Sequence, residues 1–72
     1  MDVEDPAEDY KNKGNEFFKK KNFNEALNHY ELAIQTNPNE PLYYNNKAAV
    51  YIETNQLEEA LEEVARADKL FE

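Results

Sequence analysis

Apolar positions recur along the chain at helical spacing. Tyr10, Gly14 and Phe17 fall at i, i+4 and i+7 and predict a first helix over about residues 7–20. Pro6 or Ala7 opens it, Glu8 and Asp9 suit its N-terminal dipole, and Lys19, Lys20 and Lys21 stand where cations are favoured. Asn22-Phe-Asn-Glu25 places an Asx residue three before a Glu, the pattern of a capping box, and predicts a second helix over about 23–36. Its face carries Ala26, Leu27, Tyr30, Ala33 and Ile34. Asn37-Pro38-Asn39-Glu40-Pro41 stops that helix, and Pro41 suits the first position of a third, about 41–54, striped with Tyr44, Ala48 and Tyr51. After Asn55-Gln56, a fourth helix over about 57–70 gathers Leu57, Ala60, Leu61, Val64, Ala67 and Leu70. Residues 1–6 carry Asp2, Glu4 and Asp5 without an apolar period, and a frayed acidic lead-in is expected there.

The four helices form two hairpins in tandem. An offset of 34 residues pairs Tyr10 with Tyr44, Lys13 with Lys47, Gly14 with Ala48, Phe17 with Tyr51, Ala26 with Ala60, Leu27 with Leu61 and Ala33 with Ala67. On these residues the chain resembles the tetratricopeptide repeats, whose period is that of a helix-turn-helix of this length. The signature positions carry Tyr10, Gly14, Phe17, Ala26, Tyr30, Ala33 and Pro38 in the first repeat and Tyr44, Ala48, Tyr51, Ala60, Val64 and Ala67 in the second. Lys13 and Lys47 depart from the pattern by replacing an apolar residue, and Val64 by replacing an aromatic. The resemblance implies an all-α fold of two antiparallel helix-turn-helix repeats, a fragment of an α-solenoid. Repeat one would span 7–40, and repeat two would span 41–72, slightly truncated and without a capping helix.

Composition narrows the chemistry. The 72 residues carry a net charge of −8, which argues against nucleic acid because phosphates would be repelled. There is no cysteine, so neither a disulfide nor a thiolate metal site acts as a staple. No run approaches the length of a membrane span and the start lacks the pattern of a signal peptide, so a cytoplasmic protein is expected. No phosphate-cradling glycine loop, nucleophilic triad or metal-ligand spacing occurs, and neither an enzyme nor a cofactor is expected. His29 stands alone on the outer side of the second helix, and Glu58, Glu59, Glu62 and Glu63 read as a solvated helix start. Against this acidic background, Tyr10–Lys21 holds five lysines and one acid (Glu16), a local charge of about +4.

The repeat register divides that basic segment. Lys11, Asn15 and Phe18 form a stripe one residue, about 100°, around from Tyr10, Gly14 and Phe17. In stacked repeats of this family the first helices line the concave face, and there the third helix would add Asn46, Ala49 and Glu53. In co-chaperones of the family, a Lys and an Asn of one repeat and an Asn of the next hold the C-terminal carboxylates of chaperone tails. Lys11, Asn15 and Asn46 fall on those positions. Phe18 and Ala49 would meet the aliphatic part of the tail, and Glu53 would receive a donor from it. The resemblance implies two further cations from a third repeat, whose first helix would begin at about position 75. A peptide-binding scaffold of co-chaperone type is the leading expectation. Two alternatives remain. One is a minimal repeat unit without a peptide ligand that forms a homo-oligomer through Leu57, Leu61, Val64, Leu70 and Phe71 of an uncapped last helix. The other is a fragment of a mitochondrial import receptor.

Overall fold

A computed structural model describes residues 5–71. The described chain is all-helical: α1 (Pro6–Lys19), α2 (Phe23–Thr36), α3 (Pro41–Glu53) and α4 (Leu57–Lys69). Helix α1 packs on α2, α3 on α4, and α2 on α3, so two hairpins stack through the middle pair. The result is a thin slab measuring 42 × 34 × 14 Å. Among the described residues, no helix is long and apolar enough to cross a membrane. Residues 1–4 and Glu72, which belong to the expected lead-in and to the end of the second repeat, lie outside the described residues.

Local chemistry sets each boundary. Asp5 is the N-cap of α1, where its carboxylate accepts from the Ala7 N–H at 3.1 Å and the Glu8 N–H at 3.4 Å. Asp5 is therefore the anchor of the first turn and not part of a frayed segment. Lys20 caps the other end and Lys21 turns the chain at φ 63°, with the Asn22 N–H donating to the Phe17 carbonyl and the Lys21 N–H to the Phe18 carbonyl. This is a Schellman closure. Helix α3 closes the same way, with Asn55 at φ 62° and the Gln56 and Asn55 N–H groups donating to the Tyr51 and Ile52 carbonyls. The capping box expected at Asn22 does not form. The Asn22 side chain makes no cap hydrogen bond, and its backbone N–H is already committed to closing α1. Glu40 caps α3 instead of an Asx residue, accepting from the Leu42 N–H at 3.4 Å beside Pro41.

The buried residues correct two further expectations. On α3 the deeply buried side chains are Tyr43 and Val50, along with Ala48, while Tyr44 and Tyr51 are half-buried. Tyr43 packs with Ala7, Ala33 and Ile34, and Val50 with Ala26 and Tyr30. An interior helix is touched by two neighbours and needs two buried stripes, whereas α1 at the edge needs one. On α4 the buried set is Ala60, Glu63 and Ala67, at i, i+3 and i+7. Glu63, expected in solvent, is only 3% exposed. The reason is Lys47, which lies midway between Tyr43 and Val50 on the buried α3 stripe. Its Nζ reaches Glu31 of α2 at 2.8 Å and Glu63 of α4 at 3.1 Å. Arg66 adds a second donor to the same Glu63 oxygen at 2.8 Å. The other Glu63 oxygen is buried without a partner among the described residues.

Candidate functional site

Helix α1 presents Lys11, Asn15 and Phe18 at i, i+4 and i+7, and α3 presents Asn46, Ala49 and Glu53 at i, i+3 and i+7. Each trio thus shares one helix face. Lys11, Asn15, Phe18, Asn46 and Ala49 are all half-buried, and Glu53 is exposed. No closed pocket forms among the described residues, so a ligand here would lie on an open surface.

The side chains differ in what they already hold. The Lys11 side chain is 15% exposed, and its ammonium pairs with the Glu8 carboxylate one turn earlier. Asn15 accepts a hydrogen bond at Oδ1 from the Tyr30 hydroxyl of α2. Phe18 meets Phe23 edge to face, with ring centroids 5.8 Å apart, and flanks the cluster of Ala26, Tyr30 and Val50. Part of its ring is therefore committed to the core. Asn46 and Glu53 find no hydrogen-bond or ion-pair partner among the described residues, and their polar groups point to no internal role.

Tyr30 is the residue that sequence reasoning assigned to packing alone. It is 2% exposed, and desolvation raises the pKa of its phenol, which keeps the proton on the oxygen. The phenol lies against Gly14, where an added Cβ would stand 2.5 Å from Tyr30 Cε1 and 2.6 Å from Cδ1. Only a residue without a side chain admits the ring. The signal was present in the sequence as the adjacent pair Gly14-Asn15, with Tyr30 facing both across the hairpin.

His29 is half-buried, not on a free outer face. Its ring stacks on Phe17 at 5.1 Å, and Nδ1 lies 2.9 Å from the Glu25 carbonyl, which only accepts, so Nδ1 carries a proton. No three His, Cys, Asp or Glu side chains converge on a metal position among the described residues. Leu57, Leu61 and Val64 of α4 and Phe71 just beyond its end are exposed, Leu61 at 69%, while the C-cap Leu70 is partly buried.

Comparison with known proteins agrees with this architecture. Tetratricopeptide-repeat family models match residues 7–40 and 29–62. The Hsp70-Hsp90 organising protein of Plasmodium falciparum is 54% identical over 56 residues, covering 78% of this chain and 10% of that protein. Hsp70-Hsp90 organizing protein 3 of Arabidopsis thaliana is 41% identical over 64 residues, 89% of this chain and 12% of that protein. DnaJ homolog subfamily C member 7 of Mus musculus is 38% identical over 69 residues, 96% of this chain and 14% of that protein. The chain thus spans only 10–14% of the length of these relatives. With two stacked helical hairpins, the 34-residue period and these matches, the chain belongs to the tetratricopeptide-repeat family, as a protein-interaction module related to those of chaperone-organising co-chaperones.

Proposed function

We propose that the module binds the acidic C-terminal peptide of a heat-shock chaperone in the cytoplasm, through a partial carboxylate clamp formed by Lys11, Asn15 and Asn46. Phe18 and Ala49 would contact the aliphatic part of the peptide, and Glu53 would accept from one of its donors. The observation that carries the reading is the state of Lys11, whose largely buried side chain ends in an ammonium that already holds a carboxylate, that of Glu8. An incoming C-terminus needs only to exchange with an exposed side chain. Hydrogen bonds to charged groups contribute about 1.5–3 kcal/mol each, so three suffice for a weak, peptide-sized interaction.

Calorimetric titration tests this with a peptide ending Glu-Glu-Val-Asp and its C-terminally amidated twin. The free acid is expected to bind more tightly, to weaken with added salt, and to lose most of its advantage in Lys11→Ala. Equal binding of the two peptides would refute the clamp.

A second reading is favoured by the exposed face of α4 and the turn that follows it. Leu57, Leu61, Val64 and Phe71 leave water together if two copies pair through it, with Leu70 at the margin. Burying one such side chain stabilises by roughly 1.5–3 kcal/mol. Sedimentation equilibrium would show a dimer at high micromolar concentration that Leu61→Lys abolishes. A monomer under those conditions rules this reading out.

A further inference from the structure

We infer that Tyr30 is a positioning residue that fixes Asn15 as a hydrogen-bond donor, so that the α1 face selects a carboxylate over a neutral amide. The inference rests on the carboxylate-binding reading above and goes further by naming what sets its selectivity.

A buried phenol must donate its proton or lose a hydrogen bond that water would have supplied. The Tyr30 hydroxyl has one partner among the described residues, Oδ1 of Asn15. That contact decides which way the amide faces. With its oxygen turned inward to the phenol, Asn15 has the two N–H donors of Nδ2 left for a ligand. An unrestrained Asn side chain presents oxygen or nitrogen with similar ease, and the oxygen repels a carboxylate. Tyr30 removes that unfavourable half of the population before the ligand arrives.

The arrangement depends on three residues together. Gly14 opens the space for the ring, Asn15 receives the hydroxyl, and Tyr30 supplies it. At an offset of 34 residues the equivalents in the second hairpin are Ala48, Ala49 and Val64, so all three elements are missing there at once. The second hairpin nevertheless folds as two packed helices. The Gly–Asn–Tyr set is therefore not a requirement of the hairpin itself, which separates it from ordinary core packing.

The experiment compares wild type, Tyr30→Phe and Tyr43→Phe, each titrated with the free-acid and amidated acidic peptides. Tyr43 is equally buried, at 2% exposure, and makes no hydrogen bond with Asn15 among the described residues, so its variant controls for loss of a phenol oxygen elsewhere in the core. Thermal melting establishes that each variant is folded. Tyr30→Phe is expected to weaken the free acid about twofold, the factor for halving the population of the donor-outward amide, with the amidated peptide unchanged. Tyr43→Phe should leave the ratio of the two affinities at the wild-type value. Tyr30→Phe keeping the full wild-type ratio, or weakening both peptides equally, overturns the inference while leaving the clamp intact. If the wild type itself fails to tell the peptides apart, the clamp reading falls and the inference with it.

Discussion

Replacing Lys47 by Met removes the charge at the junction of α2, α3 and α4 while keeping most of the buried stem. The Lys47 side chain is 12% exposed, and it lies 2.8 Å from Glu31 and 3.1 Å from Glu63. Removing one partner of a buried ion pair costs about 3–5 kcal/mol, because the other charge stays desolvated. Arg66 still reaches Glu63 but is itself 55% exposed, and such a solvent-screened pair returns only about 0–1 kcal/mol. The net expectation is a loss of about 2–4 kcal/mol, or roughly 10–25 °C in melting temperature for a domain of this size. Lys13, the equivalent residue of the first hairpin, is exposed, so Lys13→Met should stay within about 0.5 kcal/mol of wild type. The double variant Lys47→Met/Glu63→Leu should recover most of the loss, since a well-packed apolar pair often matches a buried ionic one. Urea unfolding followed by circular dichroism measures all four proteins. Should Lys47→Met and Lys13→Met unfold at the same midpoint, the buried-junction argument is refuted. The pH dependence has a definite sign. Burial pulls the Lys47 pKa down, but the hydrogen bonds and charges of Glu31 and Glu63 more than offset this, and the net shift is upward from 10.5. The contribution is then fully present below the ordinary lysine value and is lost as pH rises through the raised one. The gap between wild type and Lys47→Met should stay constant from neutral pH to the lysine range and close only above it.

Gly14→Ala should destabilise by up to about 2 kcal/mol, because an overpacking cost of about 1–3 kcal/mol against the fixed Tyr30 ring exceeds about 1 kcal/mol of helix propensity. A rise in thermal stability, as an unobstructed helical glycine would give, contradicts the close approach. Lys21→Gly should stabilise by about 0.5–1 kcal/mol, since Lys21 sits at φ 63° where only glycine is unstrained. An unchanged or lower midpoint argues against that backbone conformation. If the α1 face binds carboxylates, Glu8→Gln should tighten the acidic peptide about twofold to fivefold by freeing Lys11 from an exposed competitor. Glu58→Gln, which removes the same charge far along the chain, is the control, and equal effects of the two would exclude competition at Lys11.

Much of the fold was legible in the sequence. Helix existence and near-boundaries followed from apolar period, Pro41 and the Asn-rich turns, because these are local signals. The 34-residue repeat supplied the pairing of hairpins, whereas Lys11, Asn15 and Asn46 were singled out by the resemblance to co-chaperones of the family and not by the period itself. Helix C-terminal closure was less legible. Lys21 and Asn55 occupy equivalent left-handed positions although neither is glycine, so the usual marker was missing.

What the sequence by itself determined was the periodicity of each helix and the order of the helices, both properties of residues within a few positions of one another. Only the tertiary structure decided which stripe of a helix is buried. Helix α3 lies between two neighbours, so Tyr43 and Val50 are buried as well as Ala48, and Lys47 is carried into the interior with them. Glu63 follows Lys47 inward because a buried ammonium needs counter-charges, and the two it meets, Glu31 and Glu63, each stand 16 residues away on another helix. Asn15 is turned by Tyr30 across a comparable separation. Such pairings depend on which helices touch, and helical period alone does not encode that.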